Sequence, residues 1–382
     1  MNAVELETRY QLPAYHRLPL SLQRGEGVYV FDEDGRRFLD LYGGHAVAST
    51  GHSHPTVVEA MARQAGELLF YSNVVTSPVR AQAACRLVQT AGKPFHQVFF
   101  VNSGAEANEA ALRVARQLTG RRKIVALTGA FHGRTLGAAS VTSSKKNGPS
   151  APDVSFITAN EIDAVEAAID GETAAVIVEP VQSMAGVREL SGEFLRKLRH
   201  VTAERGALLI FDEVQTGAGR CGRYLYSGLH DVHADLVSLA KGIASGVPMG
   251  ALLAIEKVAQ QIQPGDLGST FGGGPLACAA LCATLDVLER EGILARVNET
   301  SAWLRRELSG LPGVEEVRGR GLLMGLKLGE KAADVQKRLL EHHIIVGTSA
   351  EPNVLRLLPP LILTQSDAAP LLEALPECLS CA

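Results

Sequence analysis

Residues 97–118 read QVFFVNSGAEANEAALRVARQL. The first five, Gln97 to Val101, are mostly β-branched or aromatic, which favours an extended strand. From Ala107 onward the apolar residues Ala107, Ala111, Val114, Ala115 and Leu118 recur at the spacing that puts them on one face of a helix. Between them, Asn102-Ser103-Gly104-Ala105-Glu106 supplies capping and small residues. Strand, short polar turn and amphipathic helix together make half of a βαβ unit. The pattern recurs from about residue 80 to 260, where Lys123 to Leu127, Ala174 to Val178, Ala207 to Phe211 and Leu236 to Leu239 alternate with helix-period segments. Alternation of this kind predicts an α/β fold with a mostly parallel sheet covered on both faces.

Outward from that core, residues 1–45 read as an arm and a hairpin. Gly27 to Phe31 and Arg37 to Leu41 flank the turn Asp32-Glu33-Asp34-Gly35. After about residue 275 a helical stretch through Leu288 leads to Val314–Val317, Gly321–Leu328 and Val354–Leu358, which read as strands of a second α+β unit. The expected division is residues 1–45 as arm and hairpin belonging to a small domain, 46–265 as a large domain, and 266–382 as a linking helix with the rest of the small domain.

The 382 residues are 46% hydrophobic and 20% charged, which excludes a disordered chain, collagen and coiled coil. Thirty-seven basic against 41 acidic residues, net −4 and scattered, argue against a nucleic-acid or polybasic membrane partner and for a small molecule. Apolar runs are strand-sized, well short of the ~20 residues needed to span a bilayer. The start, Met1-Asn2-Ala3-Val4-Glu5, lacks the pattern of a secretory signal, so a cytoplasmic location is expected. Six dispersed cysteines, Cys85, Cys221, Cys278, Cys282, Cys378 and Cys381, do not form a disulfide framework. Cys278 and Cys282 share a helix face and favour packing over metal ligation. Cys378-x-x-Cys381 reads as a tail.

In open α/β sheets ligands gather where strands give way to helices. The segment Asn102–Asn108 is either an anion cradle at a helix N-terminus or an ordinary N-cap on Ser103 or Asn102. Asp212, ending an apolar run, needs a partner: an internal arginine or a cationic ligand atom such as a protonated ring nitrogen. Lys241, just past another run, is either solvated surface or, moved out of water, a neutral nucleophile. His52, His54 and His132 lack a third ligand at metal-binding spacing, so turn and packing roles are expected and no metal site. An anion cradle, a strand-end Asp and a strand-end Lys, in that order in one α/β domain, describe a site for an aldehyde cofactor.

Eight short motifs in order carry a resemblance. They are Gly51-His52-Ser53-His54-Pro55, Asn102-Ser103-Gly104-Ala105-Glu106-Ala107, Phe131-His132-Gly133-Arg134-Thr135, Val178-Glu179-Pro180-Val181-Gln182, Asp212-Glu213-Val214-Gln215-Thr216-Gly217, Leu239-Ala240-Lys241-Gly242, Ser269-Thr270-Phe271-Gly272-Gly273 and Arg318-Gly319-Arg320-Gly321-Leu322. With them the chain resembles the class III (ω-amino acid) aminotransferases, fold-type I enzymes dependent on pyridoxal 5'-phosphate, nearest the acetylornithine and ornithine aminotransferases. The resemblance implies that Lys241 holds the cofactor covalently and moves a proton. Asp212 would keep the ring nitrogen protonated, and Ser103, Gly104 and Ala105 would grip the phosphate. Phe131 would stack on the ring and Gln215 reach its phenolic oxygen. Thr270, and Ser269 toward substrate, would come from the other subunit of a homodimer. Arg134 would clamp the substrate carboxylate, Arg356 would receive that of 2-oxoglutarate or glutamate, and Tyr15 of the arm would touch substrate.

The pattern departs from ornithine-type relatives at two places. Where they carry Gln-Gly-Glu after Glu-Pro, this chain has Val181-Gln182-Ser183-Met184, so Met184 stands in place of the glutamate that pairs with the Arg356-like residue. His45 falls where relatives vary a substrate-lining residue and is either a specificity determinant or a packed loop histidine. The implied reaction moves the terminal amine of N-acetylornithine, or a similar acylated basic amino acid, to 2-oxoglutarate, as in arginine biosynthesis. The alternatives are a carrier-bound lysine-pathway intermediate, ornithine, 4-aminobutyrate or another amine, and, from another class, a catalytically idle cofactor-binding protein.

Overall fold

A computed structural model describes residues 2–143 and 153–379; Cys381 lies outside the described residues. Its centre is a seven-stranded sheet made, in chain order, of β1 (Phe95–Val101), β2 (Lys123–Leu127), β3 (Val154–Ile157), β4 (Thr173–Val178), β5 (Leu208–Asp212), β6 (Leu236–Leu239) and β7 (Gly250–Ile255). Across the sheet the order is β1-β7-β6-β5-β4-β2-β3. Its pairings are parallel except those of β7, which runs antiparallel to both β6 and β1. β4 and β6 are buried along their whole length, as a two-sided sheet requires.

Two of these strands were not anticipated from the sequence. β7, Gly-Ala-Leu-Leu-Ala-Ile, is built from residues that favour helices, and it is extended because ladders on both sides claim its backbone. β3 is a four-residue edge strand, too short to show a period. The helix Gly104–Thr119 covers one face of the sheet. It is capped by Ser103 at the start and stopped by Gly120 in left-handed conformation.

Among the described residues three smaller sheets accompany the seven-stranded one, one of them the short antiparallel pair Val181–Gln182 and Arg188–Glu189. The strands Leu22–Glu26, Tyr29–Asp32 and Arg37–Asp40 form an antiparallel meander, and Ile344–Ile345 from the far end of the chain joins it in parallel beside Leu39 and Asp40. The strands Val314–Arg320, Leu323–Leu328, Val354–Leu357 and Gly347–Thr348 form an antiparallel sheet. The helix Pro275–Arg290, largely buried, packs on the helices Pro55–Glu67 and Pro78–Ala91; Cys278 is part of that packing. Cys378 is buried at the end of the helix Gln365–Cys378. Among the described residues no helix is long and apolar enough to cross a membrane.

Ile177 of β4 is fully buried at the middle of the sheet. Ile177→Ala should lower stability by about 2–5 kcal/mol, read as a lower denaturant midpoint with unchanged slope; an unchanged midpoint would place Ile177 outside the core.

Candidate active site

The C-terminal ends of the parallel strands converge on one cavity of about 450 Å³, lined among others by Ser103, Gly104, Ala105, Phe131, Arg134, Asp212, Gln215 and Lys241. β1 delivers Ser103 two residues past its end, β5 ends on Asp212 itself, and Lys241 stands two residues past β6. A larger hollow of about 710 Å³, between β1, the helix Pro78–Ala91 and the segment Ala259–Leu267, contains none of the expected site residues.

Asp212 is buried, and both its oxygens have partners. Oδ2 accepts from Asn108 Nδ2 at 2.7 Å and from His132 Nδ1 at 2.7 Å, and Oδ1 accepts from the Val214 amide at 3.0 Å. Asn108 is itself fixed, donating to the His132 carbonyl at 2.7 Å and accepting from Ser238 Oγ, which the β5–β6 register places opposite Asp212. No arginine is among these partners, so of the two pairings open to Asp212 the internal arginine is not the one found. His132, expected only to pack, holds this carboxylate, and its Nε2 is buried without a partner beside the cavity. Asn108 was not recognised as a site residue. The available signal was its place on the buried, otherwise apolar face of its helix.

Of the two readings open to the Asn102–Asn108 segment, the N-cap on Ser103 is found. Ser103 Oγ caps the helix by accepting the Glu106 amide, and Asn102 donates to Glu106 Oε2 through its amide at 2.6 Å and its side chain at 3.0 Å. The amides of Gly104 and Ala105 precede the first intrahelical bond and face outward as donors, at the positive end of the helix dipole. A Cβ on Gly104 would lie 2.7 Å from Val214 Cγ2, so only glycine lets the loop sit this close. Such a helix start suits an anion.

Burial pushes the Lys241 ammonium down to about 8, against the pull of the Asp212 and Glu179 carboxylates and with further lowering by Arg356 and Arg220. Lys241 holds a left-handed backbone, φ 51°. Glu179, just past β4, is buried and raised above the usual carboxylate range by that burial. It accepts the Phe131 amide at 2.6 Å, fixing the loop that carries the ring. Gln215 Oε1 is buried without a partner at the cavity wall. Arg134 is exposed, its guanidinium 5.2 Å from the centre of the Phe131 ring. Met184 lines the same cavity.

Arg356 is buried nearby and makes hydrogen bonds to the Thr348 carbonyl at 2.6 Å, Ser183 Oγ at 2.9 Å and Tyr42 Oη at 3.3 Å. Ser269 and Thr270 do not line this cavity. Ser269 Oγ accepts the Gly272 amide at 3.0 Å, and Thr270 is exposed. Tyr15 is 71% exposed and is not brought to the cavity either. His52 pairs with Asp40 and His54 with Glu291.

A buried lysine, a strand-end carboxylate without a basic side chain of its own other than a histidine, and an amide cradle between them define an enzyme that works through a phosphorylated aldehyde cofactor. The chain belongs to the class-III aminotransferases, whose family model it matches over residues 10–379. It is 44% identical to the acetylornithine aminotransferase of Methanopyrus kandleri over 385 residues, 99% of each chain. Among solved structures it resembles the ornithine aminotransferase of Toxoplasma gondii, in which pyridoxal phosphate partly occupies the active site (TM-score 0.92, 31% identity, 98% of this chain and 93% of that one). It also resembles the acetylornithine aminotransferase of Elizabethkingia anophelis (TM-score 0.88, 32% identity, 98% of each). Its cofactor is pyridoxal 5'-phosphate, and the residues fit it: the Gly104–Ala105 cradle suits the phosphate, Lys241 the aldehyde, and the orphaned Gln215 Oε1 a ring substituent.

The neutral lysine is the form that bonds to the aldehyde. Cofactor uptake by the cofactor-free protein should therefore accelerate as pH rises to about 8 and level off above it. A rate independent of pH between 6 and 9 would contradict the lowered ammonium. Asn108→Ala should loosen Asp212 and weaken cofactor retention roughly tenfold, measured by equilibrium dialysis; wild-type retention would remove Asn108 from the site.

Proposed function

We propose that this aminotransferase takes the terminal amino group of N-acetylornithine, or a closely similar acylated basic amino acid, and gives it to 2-oxoglutarate, yielding a semialdehyde and glutamate. The observation that carries this reading is one cavity holding Lys241 and Asp212 with two arginines, Arg134 and Arg356, reaching its surroundings from different parts of the chain. The full-length likeness to acetylornithine aminotransferases supports the donor. Met184 beside Arg356's neighbour Ser183 favours a second reading, in which the same chemistry serves ornithine, 4-aminobutyrate or a carrier-bound lysine.

When bound, pyridoxal phosphate supplies an electron-withdrawing ring that stabilises charge at the carbon bearing the transferred amine. Lys241 Nζ would hold the cofactor's aldehyde carbon and, when free, would carry a proton; its lowered pKa leaves a base available near neutral pH. Asp212, locked by Asn108 and His132, holds a proton on the ring nitrogen. Ser103, Gly104 and Ala105 anchor the phosphate, Phe131 covers the ring, and Gln215 meets the phenolic oxygen. Arg134 clamps the donor's carboxylate with its bidentate fork, and Arg356 receives the acceptor's second carboxylate.

The reading includes a homodimer. The exposed Leu69 (59%), Val74 (81%) and Phe271 (64%) surround the segment bearing Ser269 and Thr270, and burial of that surface by a second copy would carry both residues toward its cavity, with Tyr15 of the arm. It also includes the cytoplasm, where the free thiols of Cys85, Cys221 and Cys282 stay reduced.

The test mixes cofactor-loaded protein separately with N-acetylornithine, ornithine, 4-aminobutyrate and glutamate and follows the cofactor's absorbance in single turnover. A fast response to N-acetylornithine and glutamate is expected; a response to glutamate with another amine in its place would support the second reading. Arg134→Ala should raise the donor's KM roughly tenfold or more with little change in cofactor absorbance, and an unchanged KM would remove Arg134 from the donor site.

A further inference from the structure

Arg356 is a buried guanidinium whose hydrogen bonds all go to neutral oxygens: Thr348 O, Ser183 Oγ and Tyr42 Oη. Three of its five N–H groups are thereby used, leaving a pair for a carboxylate. An arginine N–H can only donate, so Tyr42 Oη accepts from it, and the phenolic O–H is free to donate to His45 Nδ1, with which it is in close contact. The rings of Tyr42 and His45 meet edge-on at 5.1 Å. Burial, with the charges of Lys241, Arg356 and Arg134, pushes His45 down to about 3, so the imidazole is the neutral acceptor this chain of bonds needs.

The backbone that presents His45 is strained. Gly43, Gly44, His45 and Ala46 have φ of 56°, 57°, 73° and 63°, a turn of the left-handed hand that costs a non-glycine residue about 1–2 kcal/mol. The surroundings hold it there. Asp40 Oδ1 accepts the amides of Tyr42 at 2.9 Å and Gly43 at 2.8 Å, and Asp40 Oδ2 is fixed by His52 at 2.8 Å. A Cβ on Gly43 would lie 2.6 Å from the Leu358 carbonyl, and the Leu358 amide donates to Leu41 O at 2.7 Å, so the turn is clamped to the strand that carries Arg356. Gly347, the register partner of Arg356, has no side chain where the Tyr42 ring lies.

We propose that Tyr42 and His45 are positioning residues, a neutral hydrogen-bonded pair that holds Arg356 ready for the acceptor's carboxylate. A neutral keeper adds no carboxylate to the guanidinium's hydrogen bonds and does not have to move aside when a dicarboxylate binds. The inference rests on the reading of Arg356 as the dicarboxylate receptor.

The experiment uses the cofactor-loaded enzyme and measures KM and kcat for 2-oxoglutarate and for the amino donor in Tyr42→Phe, in His45→Asn, whose asparagine tolerates a positive φ, in the double variant and in Arg356→Lys. Tyr42→Phe and His45→Asn should each raise the KM for 2-oxoglutarate roughly three- to tenfold with the donor's KM within twofold of wild type, and the double variant should be no worse than the worse single one. Wild-type KM values in both single variants, multiplying effects in the double variant, or an equal loss for both substrates would overturn the proposal. If Arg356→Lys also leaves the 2-oxoglutarate KM unchanged, the receptor reading itself fails; if it raises that KM while Tyr42→Phe does not, only the Tyr42–His45 assignment falls.

Discussion

Asp212 closes a buried strand, and a carboxylate at such a place is costly unless its oxygens are met and a cation stands opposite. Asn108, His132 and the Val214 amide meet the oxygens. In the proposed function the cation is the protonated ring nitrogen of the cofactor, and much of the fold bears on the placing of Asp212. The helix Gly104–Thr119 carries the proposed phosphate cradle at its start and Asn108 one turn further on, so one rigid rod links that cradle to the carboxylate of Asp212. The β5–β6 register brings Ser238 beneath Asn108 and fixes Lys241 three residues beyond it.

Around this contact the charges are graded. Lys241 is caught between the carboxylates of Asp212 and Glu179 and the cations Arg356 and Arg220, with burial prevailing, so a usable base exists near neutral pH. His45 is buried among Lys241, Arg356 and Arg134, and burial first, with those cations, keeps it neutral. The cavity thus has the Asp212 carboxylate in its lining, with Arg134 in the same lining and Arg356 near it. An amino acid and a 2-oxo dicarboxylate are the ligands such a field favours.

Most of the sheet was legible because its strands are apolar runs of the right length bounded by polar turns, as at Lys123–Leu127 and Leu236–Leu239. β7 was not, since its Ala- and Leu-rich composition is overridden by neighbours that no local pattern reveals. Lys241, Asp212 and the cradle were legible as residues out of place for their chemistry: a lysine and an acid at the ends of buried strands, glycine and alanine opening a helix. His132 and Asn108 were not, because a histidine in a loop and an asparagine in a helix acquire their role only from the carboxylate the fold places beside them. The Arg356–Tyr42–His45 chain joins residues more than 300 positions apart, which only the pairing of the two ends of the molecule makes visible.

The pairing of Asp212 with a protonated ring nitrogen is tested most directly by the nitrogen-15 resonance of ring-labelled pyridoxal phosphate in the intact enzyme, recorded from pH 6 to 9. The account predicts a protonated nitrogen across the whole range in the wild-type protein and its loss in Asp212→Asn. A nitrogen that titrates in the wild type as it does for the free cofactor in water would contradict it.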